Sequence, residues 1–117
     1  MPRTNVFDMS FSKVYQALVA KAERKGRTRA EVDEVTCWLL GYSPETLASM
    51  ADSDTTYGSF LSDAPLVNPH ANLIKGSICG VRVENIEDPL TKRMRQLDKL
   101  VDELAKGWAM EKVLRAI

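Results

Sequence analysis

From Asp88 to Trp108 the chain places Leu90, Met94, Leu97, Val101, Leu104 and Trp108 at intervals of 4, 3, 4, 3 and 4 residues. That spacing returns an apolar side chain to the same side of an α-helix at every second step, so it predicts a long helix near 89–106 with one face that must be covered. Asp88 suits the N-cap and Pro89 the first helical turn, where its missing N–H costs nothing. These six residues are the candidate self-association seam. Leu100 widens the face, so packing on a helix of the same chain competes with a two-stranded coiled coil. Gly107 interrupts the pattern, and Met110, Val113, Leu114 and Ile117 read as a short terminal helix with its own phase.

The natural intramolecular partner lies near the start. Phe11, Val14, Tyr15, Leu18, Val19 and Ala22 follow a 3, 1, 3, 1, 3 spacing, with Ser10 as a candidate cap and Gly26 as a stop. Thr28 and Glu31 then read as a capping box opening a second helix, whose buried face runs through Val32, Val35, Thr36 and Leu39 to Gly41. Ser43 and Pro44 start a short third helix to about Ala51, and Tyr57, Phe60 and Leu61 suggest one more turn. Between Ile78 and Glu84 the pattern alternates, with Cys79, Val81 and Val83 on one side, as in a half-buried strand. Such a strand needs a partner, either 73–75 in a tight hairpin or the same strand of a second subunit. The expected fold is mainly α: a compact multi-helix domain spanning residues 1–117, with a small β-hairpin or single strand near 73–84.

Composition narrows the functional classes. With 44% apolar and 27% charged residues, the chain resembles an ordinary folding sequence, and no apolar run reaches the roughly 20 residues that span a bilayer. The start, MPRTNVFDMSFSK, lacks the apolar core of a secretory signal, which points to a cytoplasmic protein and to thiols kept reduced. Sixteen basic and 16 acidic residues cancel, but unevenly: residues 1–29 carry seven basic and two acidic groups, while 30–70 carry seven acidic groups and no Lys or Arg. Nucleic-acid binders usually carry a net basic excess, so a nucleic-acid partner is disfavoured. Zero net charge permits a homo-oligomer.

Few residues offer chemistry. Cys37, His70 and Cys79 supply too few ligands, without the spacing of a zinc site, so no metal or cofactor is expected. Cys37 and Cys79 are candidate reactive thiols, although Cys79 beside two valines reads more readily as a small buried side chain. Arg27, Arg29, His70 and Arg82 are candidate anion-binding groups, since guanidinium and imidazole donors suit a small carboxylate or phosphate. The structural reading of the same residues is plainer. Arg27 and Arg29 are exposed cations at a helical corner compensated by acids such as Asp33, and His70 belongs to a locally bonded turn, NPHAN. Asp98, Asp102 and Glu103 read as a solvated helix face. Phosphate-loop, dinucleotide and HExxH motifs are absent from the sequence.

Three ordered blocks, KAERKGRTRAEVDEVTCWLLGY, CGVRVENIEDPL and LDKLVDELAKGWAMEKVL, together resemble a bacterial family catalogued as domain of unknown function 2200. The likeness runs from about Val6 to Leu114 and departs from the family pattern at Trp108, where a polar or basic residue is expected. It implies one domain and carries no assigned activity, cofactor or catalytic residue. The sequence therefore reads as a small cytoplasmic helical protein that acts by binding, as a protein-interaction module and homodimer. The alternative is a small-molecule (anion) binding protein or enzyme using an Arg/His/Cys cluster.

Overall fold

A computed structural model describes residues 6–78 and 80–114. Among the described residues, six α-helices form the body: α1 (Phe11–Glu23), α2 (Arg29–Leu40), α3 (Pro44–Ala51), α4 (Tyr57–Ser62), α5 (Pro89–Ala105) and α6 (Met110–Val113). A two-stranded hairpin, β1 (Ser77–Ile78) and β2 (Val81–Arg82), precedes α5, and 3-10 turns occupy Val6–Asp8, Pro69–Leu73 and Val83–Asn85. Among the described residues, no helix is long and apolar enough to cross a membrane.

Helix α5 is the centre of the packing. Its apolar face rests on α1, α2 and α4, with the hairpin and α6 against its flanks. Leu97, Leu100, Val101 and Leu104 are fully buried and Met94 nearly so, while Leu90 and Trp108 pack half-buried on the same core. The residues of the candidate self-association seam, Leu90, Met94, Leu97, Val101, Leu104 and Trp108, thus pack on the core of their own chain. Leu100 widens this face, and a broad apolar face is covered more completely by several neighbouring helices than by one coiled-coil strand. The solvated-face reading of α5 is corrected. Glu103 is 1% exposed, and Asp102 is held between Lys21 at 3.3 Å and Lys106 at 3.0 Å.

At the other end of the core, aromatic rings stack. The Phe11 and Phe60 centroids lie 3.8 Å apart and those of Tyr42 and Phe60 4.8 Å apart. The Tyr42 hydroxyl donates to the Phe60 carbonyl oxygen at 2.6 Å, so its polar tip is satisfied inside. Ser10 does not cap α1 with its side chain. Its backbone instead bridges Thr56, with Phe11 N–H donating to Thr55 O at 2.9 Å and Tyr57 N–H to Met9 O at 2.8 Å. Tertiary backbone partners thus do the work expected of the serine hydroxyl.

The hairpin is smaller than the alternation suggests. Ser77 pairs with Arg82 and Ile78 with Val81, so the strand expected over 78–84 is folded back on itself. Gly80 has a φ of 80°, which allows the reversal, and Val83 already belongs to a 3-10 turn. The proposed partner at 73–75 follows the 3-10 turn Pro69–Leu73 and is not a strand. The pairing is local and within one chain. Ile117, expected in the last helix, and Cys79 lie outside the described residues.

Candidate functional site

A cleft of about 500 Å³ lies where α1 meets the start of α2 and the end of α3. Its α1 wall is formed by Ser12, Tyr15, Gln16, Val19 and Glu23, spaced 3, 1, 3 and 4 residues apart and so on adjoining faces of one helix. Arg29 enters because the Thr28–Glu31 capping box sets the first turn of α2: Glu31 N–H donates to Thr28 Oγ1 at 3.2 Å, and Thr28 N–H to Glu31 Oε1 at 2.9 Å. Ala48, Ala51 and Asp52 close the third side. They are placed by the Ser43 cap, which accepts from Thr46 N–H at 3.1 Å, and by Pro44 at the helix start.

A polar chain starts from Tyr15, a lining residue of the cleft. Tyr15, 2% exposed, donates its hydroxyl proton to Asp33 Oδ1. Thr36 Oγ1 lies 3.5 Å from the same hydroxyl and gives its own proton to Val32 O at 2.8 Å. Burial, followed by the hydrogen bond to Asp33, pushes the Tyr15 phenol well above its ordinary range, so it remains a neutral donor. Arg29 Nε faces Asp33 Oδ1 at 3.9 Å, and its side chain is 58% exposed. This is a loose ion pair that leaves most of the guanidinium fork available. Ser12 and Gln16 add a hydroxyl and an amide on the rim, joined by a Gln16 Nε2 to Ser12 Oγ hydrogen bond of 3.3 Å. The cleft thus offers one accessible guanidinium, neutral donors and acceptors, and two carboxylates, Glu23 and Asp52.

Residues 5–115 match the model of a family described as "Uncharacterized protein conserved in bacteria (DUF2200)". The chain belongs to this family. No curated protein matches it. Among solved structures, the chain is similar to that titled "Crystal structure of uncharacterized protein SP1917", with 48% identity over 95% of this chain and 91% of that chain and a TM-score of 0.91. A helical family member thus carries the cleft, and no activity comes with the family description.

The other residues singled out in sequence are placed apart from this cleft. Arg27 is turned inward, with Nη2 and Nε on Glu31 Oε2 at 2.6 and 3.0 Å and Nη1 on the Trp108 carbonyl oxygen at 2.8 Å. Its side chain is only 16% exposed, which corrects the expectation of a solvated cation. Arg82 pairs with Glu84 at 3.4 Å on the hairpin. His70 is exposed in the turn that follows α4, where its N–H donates to Asn68 Oδ1 at 2.8 Å. Of the four candidate anion-binding residues, only Arg29 lines the main cleft.

Cys37 lies in a separate depression of about 410 Å³ with Ala30, Asp33, Glu34 and Pro44. Burial first, and then the charges of Asp33 and Glu45, push its thiol up. A thiol raised in this way is less readily converted to the thiolate that attacks as a nucleophile. Among the described residues, no group of three or more His, Cys, Asp and Glu side chains could hold a metal ion. Ser12, Gln16 and Asp52 were not distinguished in sequence. The only signal was their recurrence on the flank of α1 and just beyond α3, which looks like any solvated helix edge.

Proposed function

We propose that this protein binds a small molecule carrying an acidic group in the cleft between α1, α2 and α3. The observation that carries the reading is Arg29, a guanidinium only loosely held at 3.9 Å from Asp33, projecting into a concave site of about 500 Å³. A carboxylate or phosphate oxygen pair matches that fork bidentately. Ser12 and Gln16 would orient the rest of the ligand by hydrogen bonding. Glu23 and Asp52 disfavour multiply charged anions and favour a ligand that also carries an amino group, such as an amino acid.

Thermal unfolding of the full chain against a panel of amino acids and small carboxylates tests the reading, because a ligand that binds the native state raises its stability. At least one compound should raise the midpoint saturably, and Arg29→Ala should abolish the rise while its ligand-free midpoint stays near that of the parent. A panel without effect, or an equal rise in the variant, would sink the proposal.

A further inference from the structure

A second cavity, of about 300 Å³, lies on the flank of α5 beside the stripe that packs inward, between the start of α5 and the turn Pro69–Leu73. Pro89, Lys92, Arg93 and Gln96 line it from α5 at spacings of 3, 1 and 3, a second helical stripe that is cationic and polar. Asn68 and Asn72 face them from the turn, and no Asp or Glu is among the described lining residues. We infer that this cavity is an anion-binding site for a dianionic oxyanion, a phosphate or phosphomonoester, held by Lys92 and Arg93.

The site is built rather than incidental. Arg93 is fixed by donation from Nη1 to the Leu61 carbonyl oxygen at 2.8 Å, which leaves its other N–H groups to turn toward the cavity. Gln96, 4% exposed, is fixed by donation from Nε2 to the Ala71 oxygen at 3.3 Å. Asn68 is committed on both sides, accepting from His70 N–H at 2.8 Å and donating to Trp38 O at 3.2 Å, so the turn itself is rigid. Lys92 forms no ion pair and no side-chain hydrogen bond among the described residues, although an exposed acid such as Asp88 stands only four positions before it. Asp88 is occupied at the helix cap, where its Oδ2 accepts from Thr91 N–H at 2.9 Å and from Thr91 Oγ1 at 2.6 Å. Two cations without a carboxylate lining the same cavity select for double negative charge, the reverse of the balance in the main cleft.

Calorimetric titration of the full chain at low ionic strength, with inorganic phosphate, glycerol 3-phosphate and acetate as separate probes, tests the assignment. Phosphate or glycerol 3-phosphate should bind saturably at millimolar concentration or below, the tighter of the two identifying whether the cavity takes the free ion or an ester. Acetate should bind more weakly. Lys92→Ala should weaken binding by about tenfold, the loss of one charge-assisted contact, and Lys92→Arg should largely retain it. Among the described residues Lys92 forms no ion pair and no side-chain hydrogen bond, so its variants should keep the fold, whereas Arg93→Ala also removes the tie to Leu61. Arg29→Ala should leave phosphate binding unchanged, which separates this site from the main cleft. Absence of saturable binding, acetate binding as tightly as phosphate, or an unaltered affinity in Lys92→Ala would overturn the inference.

Discussion

Arg27 Nη1 donates to the carbonyl oxygen of Trp108 across 2.8 Å, joining residues 81 positions apart. The bond ties the corner between α1 and α2 to the chain leaving α5, and the same guanidinium holds Glu31 in the capping box. Trp108 sits at this junction half-buried, with Lys112 Nζ 4.4 Å from its ring centroid. Trp108 thus occupies a packing position.

Arg27→Ala should destabilise the fold by about 1–3 kcal/mol, the usual range for losing hydrogen bonds to a charged, part-buried group. Arg29→Ala, at an exposed loose pair, should cost less than about 0.5 kcal/mol. Urea titrations of both variants check the contrast, and equal midpoints would defeat the clamp.

Thr28→Ala should cost about 1 kcal/mol by removing the hydroxyl acceptor of the α2 cap. The cap also has a pH signature. The Arg27 hydrogen bonds, ahead of other causes, lower the Glu31 pKa from its ordinary 4.5. A carboxyl depressed in the folded state stabilises above its unfolded pKa, and that contribution is lost as pH falls through the folded value. Stability measured from pH 7 down to pH 3 should therefore fall less in Glu31→Gln than in the parent. A parallel fall would remove Glu31 from the acid response.

Gly41→Ala should cost roughly 2 kcal/mol or more, since strain of this kind is typically 1–3 kcal/mol before any clash is added. Gly41 has a φ of 81°, and a Cβ there would lie 2.6 Å from the Leu66 oxygen. Gly26 has a φ of 83° with open space around the same position. Gly26→Ala should therefore lose only the conformational part, about 1 kcal/mol. Denaturation midpoints that rank the two variants in the opposite order would refute the close approach of residue 66.

Leu97→Ala should cost about 2–5 kcal/mol as a fully buried truncation. Its unfolding midpoint, like that of the parent, should not rise with protein concentration, because the α5 stripe is covered within the chain. A concentration-dependent midpoint for the parent that disappears in the variant would return the stripe to a subunit interface.

Short-range chemistry was readable in the sequence alone. The Thr28–Glu31 box, Ser43 with Pro44, Asp88 with Pro89, and the glycines after α1, α2 and α5 each act within one helical turn, so their side chains determine local structure wherever the element is placed. The apolar periods of α1, α2 and α5 likewise declared which faces must be buried. Which surface covers them was decided only in three dimensions: a stripe records the need for burial, and in the fold that of α5 meets α1 and α2. The break at Gly80 also escaped the alternation, because a period of two does not reveal where a strand turns back. Arg27 and Arg29 show the same limit most directly. Two positions apart and equal in charge, they differ because α2 turns one toward Trp108 and the other into the cleft, and a carbonyl oxygen 81 residues away leaves no mark on the sequence around it.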